Sequence, residues 1–350
     1  MSISRKVLSS KMIHCLCDNF KISSRFLDFD INKVYFNYTD AEKEKSNKII
    51  SVLTNKIIPN EFFICYTYNE DLYFLVCGDN DFSDDNIVKV PSDIIDLFII
   101  CSENCIKIDR NVTSDEFYNI FYTYEVAEYN GLTYSDIIDF IEPFSLYKLD
   151  KDSVLSLKCD SCIYAYYRLC EAKYSSFPWK NETLNEIENV IFSKSKNIPF
   201  HNVLFSLSSR QWHHIFLESY RMIEHLFSVV YLKDVSEQTG VSITKLSDVF
   251  ENILNWRPPE EKAIERIFQE IETEFDTYDV YEKVIEIKRK NNPDEKLHKW
   301  YYKEIRNQIA HFRITHRNIE FTDEEWNGLI QFNFLIIKYI YEKYDELLSF

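Results

Sequence analysis

Trp300-Tyr-Tyr-Lys-Glu-Ile-Arg-Asn-Gln-Ile-Ala-His-Phe-Arg313 decides how the C-terminal part of this 350-residue chain is read. On an α-helix, at about 100° per residue, Ile305, Ile309 and Phe312 share one narrow apolar face, and Tyr302 extends it by a turn. That side is expected to face a core. The opposite arc carries Arg306, Ala310, Asn307 and His311; Asn307 and His311 stack on one face, with Lys303 one turn before them. Arg306 and His311 diverge by roughly 140° on an ideal helix. They can grip one small ligand only if two copies of the helix face each other, or if the helix is distorted. Small Ala310 between them lets a partner backbone come close.

The charge pattern singles out the same region. The chain carries a formal net charge of −17, which argues against a surface built for general binding to nucleic acid or anionic membrane. Between Lys283 and Arg317 the sign reverses, with ten basic residues against four acidic ones. A charge run is usually a solvated helix face; here it coincides with the polar arc just described.

Arg306-Asn-Gln-Ile-Ala-His311 resembles the Arg-x4–6-His signature of HEPN domains, usually written with a polar residue directly after the Arg. HEPN domains are small helical bundles, many of them metal-independent ribonucleases of toxin–antitoxin, abortive-infection and CRISPR systems. The resemblance covers about the last 150 residues, and the chain's layout is closest to the Apea-like branch, with an N-terminal domain ahead of a C-terminal HEPN. It implies a homodimer through the motif helix, a composite site, RNA as substrate, no metal and no cofactor, and a role in anti-phage defence or as a toxin.

The chemistry of the residues fits such a site. RNA can be cut by attack of a ribose 2′-OH on its own phosphate, which needs a base, an acid and positive charge on the phosphoryl oxygens. A histidine with an ordinary pKa of about 6.5 serves as base or acid near neutral pH. An arginine fork fits a phosphate and binds it more strongly as charge builds. The expected catalytic residues are therefore Arg306, Asn307 and His311, with Asn307 orienting the His or donating to a phosphate oxygen. Lys299, Lys303, Arg313 and Arg317 are the expected RNA contacts. Glu218 or Glu224, on an earlier helix, would hold the motif Arg or His as the resemblance implies; the alternative is a solvated salt-bridge face. The rival for the whole bundle is a non-catalytic interaction domain in which Arg306 makes only a helix salt bridge.

Upstream, the expected architecture is an α+β domain over residues 1–200, of sensor or regulatory type with an unassigned trigger, followed by an all-α bundle over 201–350. Glu61–Tyr68 and Leu72–Cys77, joined by a short polar loop, read as a β-hairpin. Leu97–Cys101 and Cys105–Ile108 repeat that shape, and Lys33–Thr39 alternates as a half-buried strand. Asp40–Thr54 and Thr113–Phe144 read as helical, the latter opening at Ser114 and broken at Gly131, with Ser135 capping a short helix. Ser145–Lys173 stays ambiguous between strand and helix, Tyr174–Asn181 reads as a loop, Leu184–Phe192 as helix, and Ser193–Asn202 as the linker.

In the second part Ser209 is expected to cap a long helix striped with Trp212, Ile215, Phe216, Ser219, Met222, Ile223, Leu226 and Val230. Ser242 or Thr244 opens a shorter one, and Pro258-Pro259 sits at a helix start. Asp294 is the expected cap of the motif helix, and Thr322-x-x-Glu325 is a capping box. No secretory leader or membrane-spanning run is visible, and nine cysteines without a dense even framework point to a reducing cytoplasm. Cys159, Cys162 and Cys170 with His14, Cys15 and Cys17 offer soft ligands but lack the second close pair of a zinc ribbon. Gly-rich phosphate loops and serine-hydrolase elbows are missing from the sequence.

Overall fold

The computed structural model describes residues 5–19, 34–47, 51–58, 61–109, 111–113, 115–116, 119–120, 130–311 and 320–348. They form two compact units, Met1–Asp160 and Ser161–Phe350.

The first unit is built on an antiparallel five-stranded sheet: β1 (Ser51–Ile58), β2 (Glu61–Tyr68), β3 (Asp71–Cys77), β4 (Ile87–Val90) and β5 (Phe144–Leu149), in the order β1-β2-β3-β5-β4. The expected hairpin is β2–β3, in register from Tyr68↔Asp71 to Phe63↔Val76. Asn69 and Glu70 turn it with φ of 52° and 66°. Two left-handed residues match the right-handed twist of the flanking strands. Phe62, Ile64, Tyr66, Leu75 and Leu146 join one apolar core with α1 (Arg5–Asn19) and α3 (Ile94–Ser102).

The second expected hairpin does not form, because Leu97–Cys101 lies inside α3. Asp93 caps that helix by accepting from the Ile95 and Asp96 amides, and the Asp96 carboxylate accepts from the Asp93 amide in return. Residues 94–101 are all buried. An apolar run this short has no periodicity to separate a strand from an enclosed helix. The stretch expected as one helix from Asp40 to Thr54 is helix α2 only over Asp40–Asn47 and becomes β1 from Ser51. Val34 to Tyr38 alternates in burial as expected, but Phe36 makes only an isolated bridge to Leu132 outside the sheet. Of the run expected to be helical up to Phe144, Ser114, Phe117, Tyr118 and 121–129 lie outside the described residues; Ser135–Ile138 is a single turn (α4) with Tyr134 at its N-cap. Asp96 is fully buried, and its carboxylate accepts from Lys45 Nζ at 2.8 Å and from the Tyr66 hydroxyl at 2.6 Å.

The second unit is helical: α5 (Asp160–Tyr174), α6 (Asn181–Ile191), α7 (Phe200–Ser208), α8 (Trp212–Glu224), α9 (Val229–Thr239), α10 (Ile243–Asn252), α11 (Glu260–Phe275), α12 (Asp279–Asn291), a composite helix α13 over 297–310, α14 (Asp323–Lys343) and a last turn α15 (Asp345–Leu348). The division at Asp160, not near residue 200, has a clear physical reason. Segment 177–191 is tied to α14: Asn327 accepts from the Lys180 amide at 2.9 Å and donates to the Pro178 carbonyl at 2.9 Å, and Thr183 Oγ1 donates to the Asn327 carbonyl. Leu184, Ile187, Val190 and Ile191 are buried with it.

The long helix expected from Ser209 is interrupted at 225–228, although its stripe from Ile215 to Val230 is buried as expected. Ser242 caps α10 and Pro259 immediately precedes α11. The capping box of α14 is present, with Thr322 Oγ1 accepting from the Glu325 amide and the Glu325 carboxylate accepting from the Thr322 amide. Thr322→Ala is expected to cost about 1 kcal/mol of stability, measured as a shift in the urea midpoint at constant slope. No helix among the described residues is long and apolar enough to cross a membrane.

Candidate functional site around Arg306

The motif segment is not a straight α-helix. Leu297–Lys299 is α-helical, Trp300–Arg306 is wound as a π-helix, and Asn307–Ala310 returns to α. The change of pitch is carried by i→i+5 hydrogen bonds, such as that from the Asn307 amide to the Tyr302 carbonyl. It resets which residues face inward. Trp300, Tyr301 and Ile305 are buried, whereas Tyr302, expected on the core face, is only partly covered, as is Ile309; Phe312 lies outside the described residues. Two inward residues four apart and one pair five apart are what a widened turn selects. The interval from Arg306 to His311 lies beyond the π winding and is α-helical through Ala310, so the divergence of the two is altered only where His311 leaves the helix. Asp294 is not the cap: Lys296 occupies that position, without a side-chain hydrogen bond.

Tyr301 anchors the segment. Its hydroxyl donates to Asn333 Oδ1 at 2.6 Å, and Asn333 Nδ2 donates to Ser219 Oγ at 2.8 Å, tying α13, α14 and α8 together in a fully buried chain. The Tyr301 ring packs against Phe216, Phe268 and Phe332. This fixes the rotation of α13 and so the direction of Arg306.

Arg306 lies between two carboxylates. Its Nε donates to Glu224 Oε1 at 2.8 Å and its Nη2 is 2.6 Å from the same oxygen, while Nη1 lies 3.5 Å from Glu260 Oε2. Nη1 also donates to Asn307 Oδ1 at 2.8 Å. Its side chain is 14 % exposed. Burial works against the charge, but Glu224 and Glu260 outweigh it, and the guanidinium pKa is raised. Tyr302, lying by the Arg306 guanidinium at 5.7 Å, donates its hydroxyl to Glu260 at 2.9 Å. Beneath them the fully buried Tyr220 hydroxyl has no hydrogen-bond partner among the described residues.

Of the two acids expected to hold the motif, Glu224 meets Arg306 and Glu218 does not. Glu218 pairs instead with Arg221 and accepts from Asn202 Nδ2 at 2.8 Å. Asn307, expected to orient His311 or a phosphate, spends its carbonyl oxygen on Arg306. His311 leaves the helix with φ −125° and ψ 87°, is exposed, and makes no side-chain hydrogen bond or ion pair to a described residue. Lys303 pairs with Glu261 at 3.1 Å, and Lys299 has no ion-pair partner among the described residues. Arg313 and Arg317 lie outside the described residues.

Sequence reasoning did not assign Glu260 and Tyr302 to Arg306. The available signal was the acidic first turn after Pro258-Pro259: α11 lays Glu260, Glu261 and Glu265 along α13, against Arg306, Lys303 and His298. The acidic stretch from Glu260 thus offsets part of the basic run locally. Among the described residues no group of three or more His, Cys, Asp or Glu is gathered as a metal site. Neither a family model, nor a curated protein, nor a solved structure matches this chain.

Proposed function

We infer that the chain is an endoribonuclease that cuts RNA without a metal, by attack of the ribose 2′-OH, and that it acts as a two-fold dimer through α13. The observation that carries this reading is the arrangement at the motif: a charged, positioned guanidinium at Arg306 and an exposed imidazole at His311 on one short segment. Glu224, Glu260 and Asn307 fix the Arg306 fork so that a phosphate oxygen meets a preorganised donor. His311 stands at the helix end, exposed and held by no described residue. One chain supplies one motif His, whereas the reaction uses both a base and an acid, and a two-fold pair supplies two. The HEPN resemblance supports the same assembly and a role in anti-phage defence or as a toxin, and the cysteine usage supports a cytoplasmic setting.

A second reading is favoured by a specific contact pattern: all three guanidinium nitrogens of Arg306 face protein oxygens, as in a purely structural ion pair. In that case the bundle is a non-catalytic dimerisation or interaction module.

The test is the product chemistry. Purified protein is expected to cut RNA in excess EDTA, to leave DNA intact for want of a 2′-OH, and to yield 2′,3′-cyclic phosphate or 3′-phosphate ends. Cleavage that stops with EDTA and leaves 5′-phosphate ends overturns the mechanism. RNA left intact under every condition leaves the interaction module as the reading.

A further inference from the structure

A second concave site lies on the helical unit, apart from Arg306. It is a cleft of about 480 Å³ between α11, α12 and the turn that leads into α13. That size falls within the roughly 300–1,000 Å³ of small-molecule sites. Its lining carries charges of both signs. The α11 side presents Glu265, Gln269 and Glu272, spaced four and three apart on one helical face. The other side, from α12 and the turn, presents Arg289 and Lys296, both exposed and neither in an ion pair with a described residue, with Glu295 beside Lys296. Lys288 also lines it but is buried and donates to the Pro293 carbonyl at 2.7 Å. Two aromatic rings, Phe268 and Tyr281, both more than nine-tenths buried, supply apolar lining.

One group in this cleft lacks a partner. His298 is 8 % exposed, and its Nε2 makes no hydrogen bond to any described residue; the nearest carboxylate oxygen, Glu265 Oε1, is 3.6 Å away. Burial holds the imidazole below its ordinary pKa, so the ring is neutral near pH 7. A buried polar nitrogen without a partner is uncommon, because leaving it unbonded costs free energy that a bound group recovers. Opposite charges that line one cleft without pairing across it leave room for a molecule that is itself polarised.

We propose that the cleft binds a nucleoside monophosphate whose base carries an exocyclic amine. The phosphate meets Arg289 and Lys296, the flat base lies against Phe268 and Tyr281, and the amine donates to the α11 carboxylates beside His298 Nε2. The proposal stands independently of RNA cleavage at Arg306.

Isothermal titration of the full-length protein tests it, with AMP, IMP and inorganic phosphate as probes. IMP has a carbonyl oxygen where AMP has the amine. AMP is expected to bind saturably and at least about tenfold more tightly than IMP or phosphate. The R289A/K296A double variant is expected to lose about tenfold or more in AMP affinity with an unchanged thermal midpoint, since both side chains are exposed. Glu272→Gln, also at an exposed position, is expected to narrow the gap between AMP and IMP. No saturable AMP binding up to about 10 mM, equal affinity for AMP and phosphate, or full affinity in the folded double variant would each overturn the site.

Discussion

Replacing His311 by Ala is expected to lower RNA cleavage by about 10²–10⁴-fold while leaving stability within about 0.5 kcal/mol of the parent. The side chain is exposed and bonds to no described residue, so its removal subtracts chemistry and little else. Arg306→Ala is expected to remove cleavage as well, but with a different signature. It withdraws the cation from Glu224 and Glu260 and leaves Tyr220 and Glu224 facing a void. Its stability cost is expected to be about 1–3 kcal/mol, larger than helix position alone implies. Adding Glu224→Gln to Arg306→Ala should recover part of that stability and none of the cleavage. Initial rates on a labelled RNA, read beside urea unfolding of the same preparations, separate the two effects. Cleavage at parental rates in folded Arg306→Ala or His311→Ala would refute the catalytic assignment.

Mixing an excess of His311→Ala chains into the parent protein is expected to lower cleavage below what the parent chains give alone. In a two-fold cleft each patch meets its own copy. The mixed dimer would then hold one motif His where the reaction uses two, so each variant chain silences a parent partner. Lys299 and Lys303 from both chains would also meet in that cleft, where Glu261 neutralises only part of their charge. Dimerisation should therefore weaken at low ionic strength and strengthen when RNA phosphate fills the cleft. Parent activity unchanged by an excess of the variant, together with light scattering that shows a monomer under cleaving conditions, would rule out the shared site.

What could be read from the residues, and what could not, divides along physical lines. The β2–β3 hairpin was legible because alternation, aromatic content and a short polar connection all point the same way. The α14 capping box was legible because Thr322 and Glu325 sit three apart ahead of an apolar run, and both bonds form. Helix α3 was misread because eight consecutive buried positions erase the periodicity that distinguishes helix from strand. Residues 161–200 were assigned to the wrong unit because their affinity for α14 passes through Asn327, nearly 150 positions away. At the candidate site, Glu224 was one of two acids named for the motif, and spacing on α8 alone could not choose between it and Glu218. The cleft between α11 and α12 could not be read at all, since His298 and Lys296 look like ordinary basic surface until α11 is placed opposite them.

The π-helical winding of Trp300–Arg306 makes chain length itself a component of the site. A wider turn holds one residue more than an α-turn over the same axial distance, as if a single insertion had been absorbed without breaking the helix. Rewinding the same residues as a plain α-helix would rotate everything beyond by about 100°. With Tyr301 still bonded to Asn333, Arg306 would swing away from Glu224 and Glu260, and His311 would turn with it. Every functional side chain would survive such a rewinding, yet the constellation would be lost. A one-residue deletion within the wide turn is expected instead to close it to α with Arg306 still on the side of Tyr301.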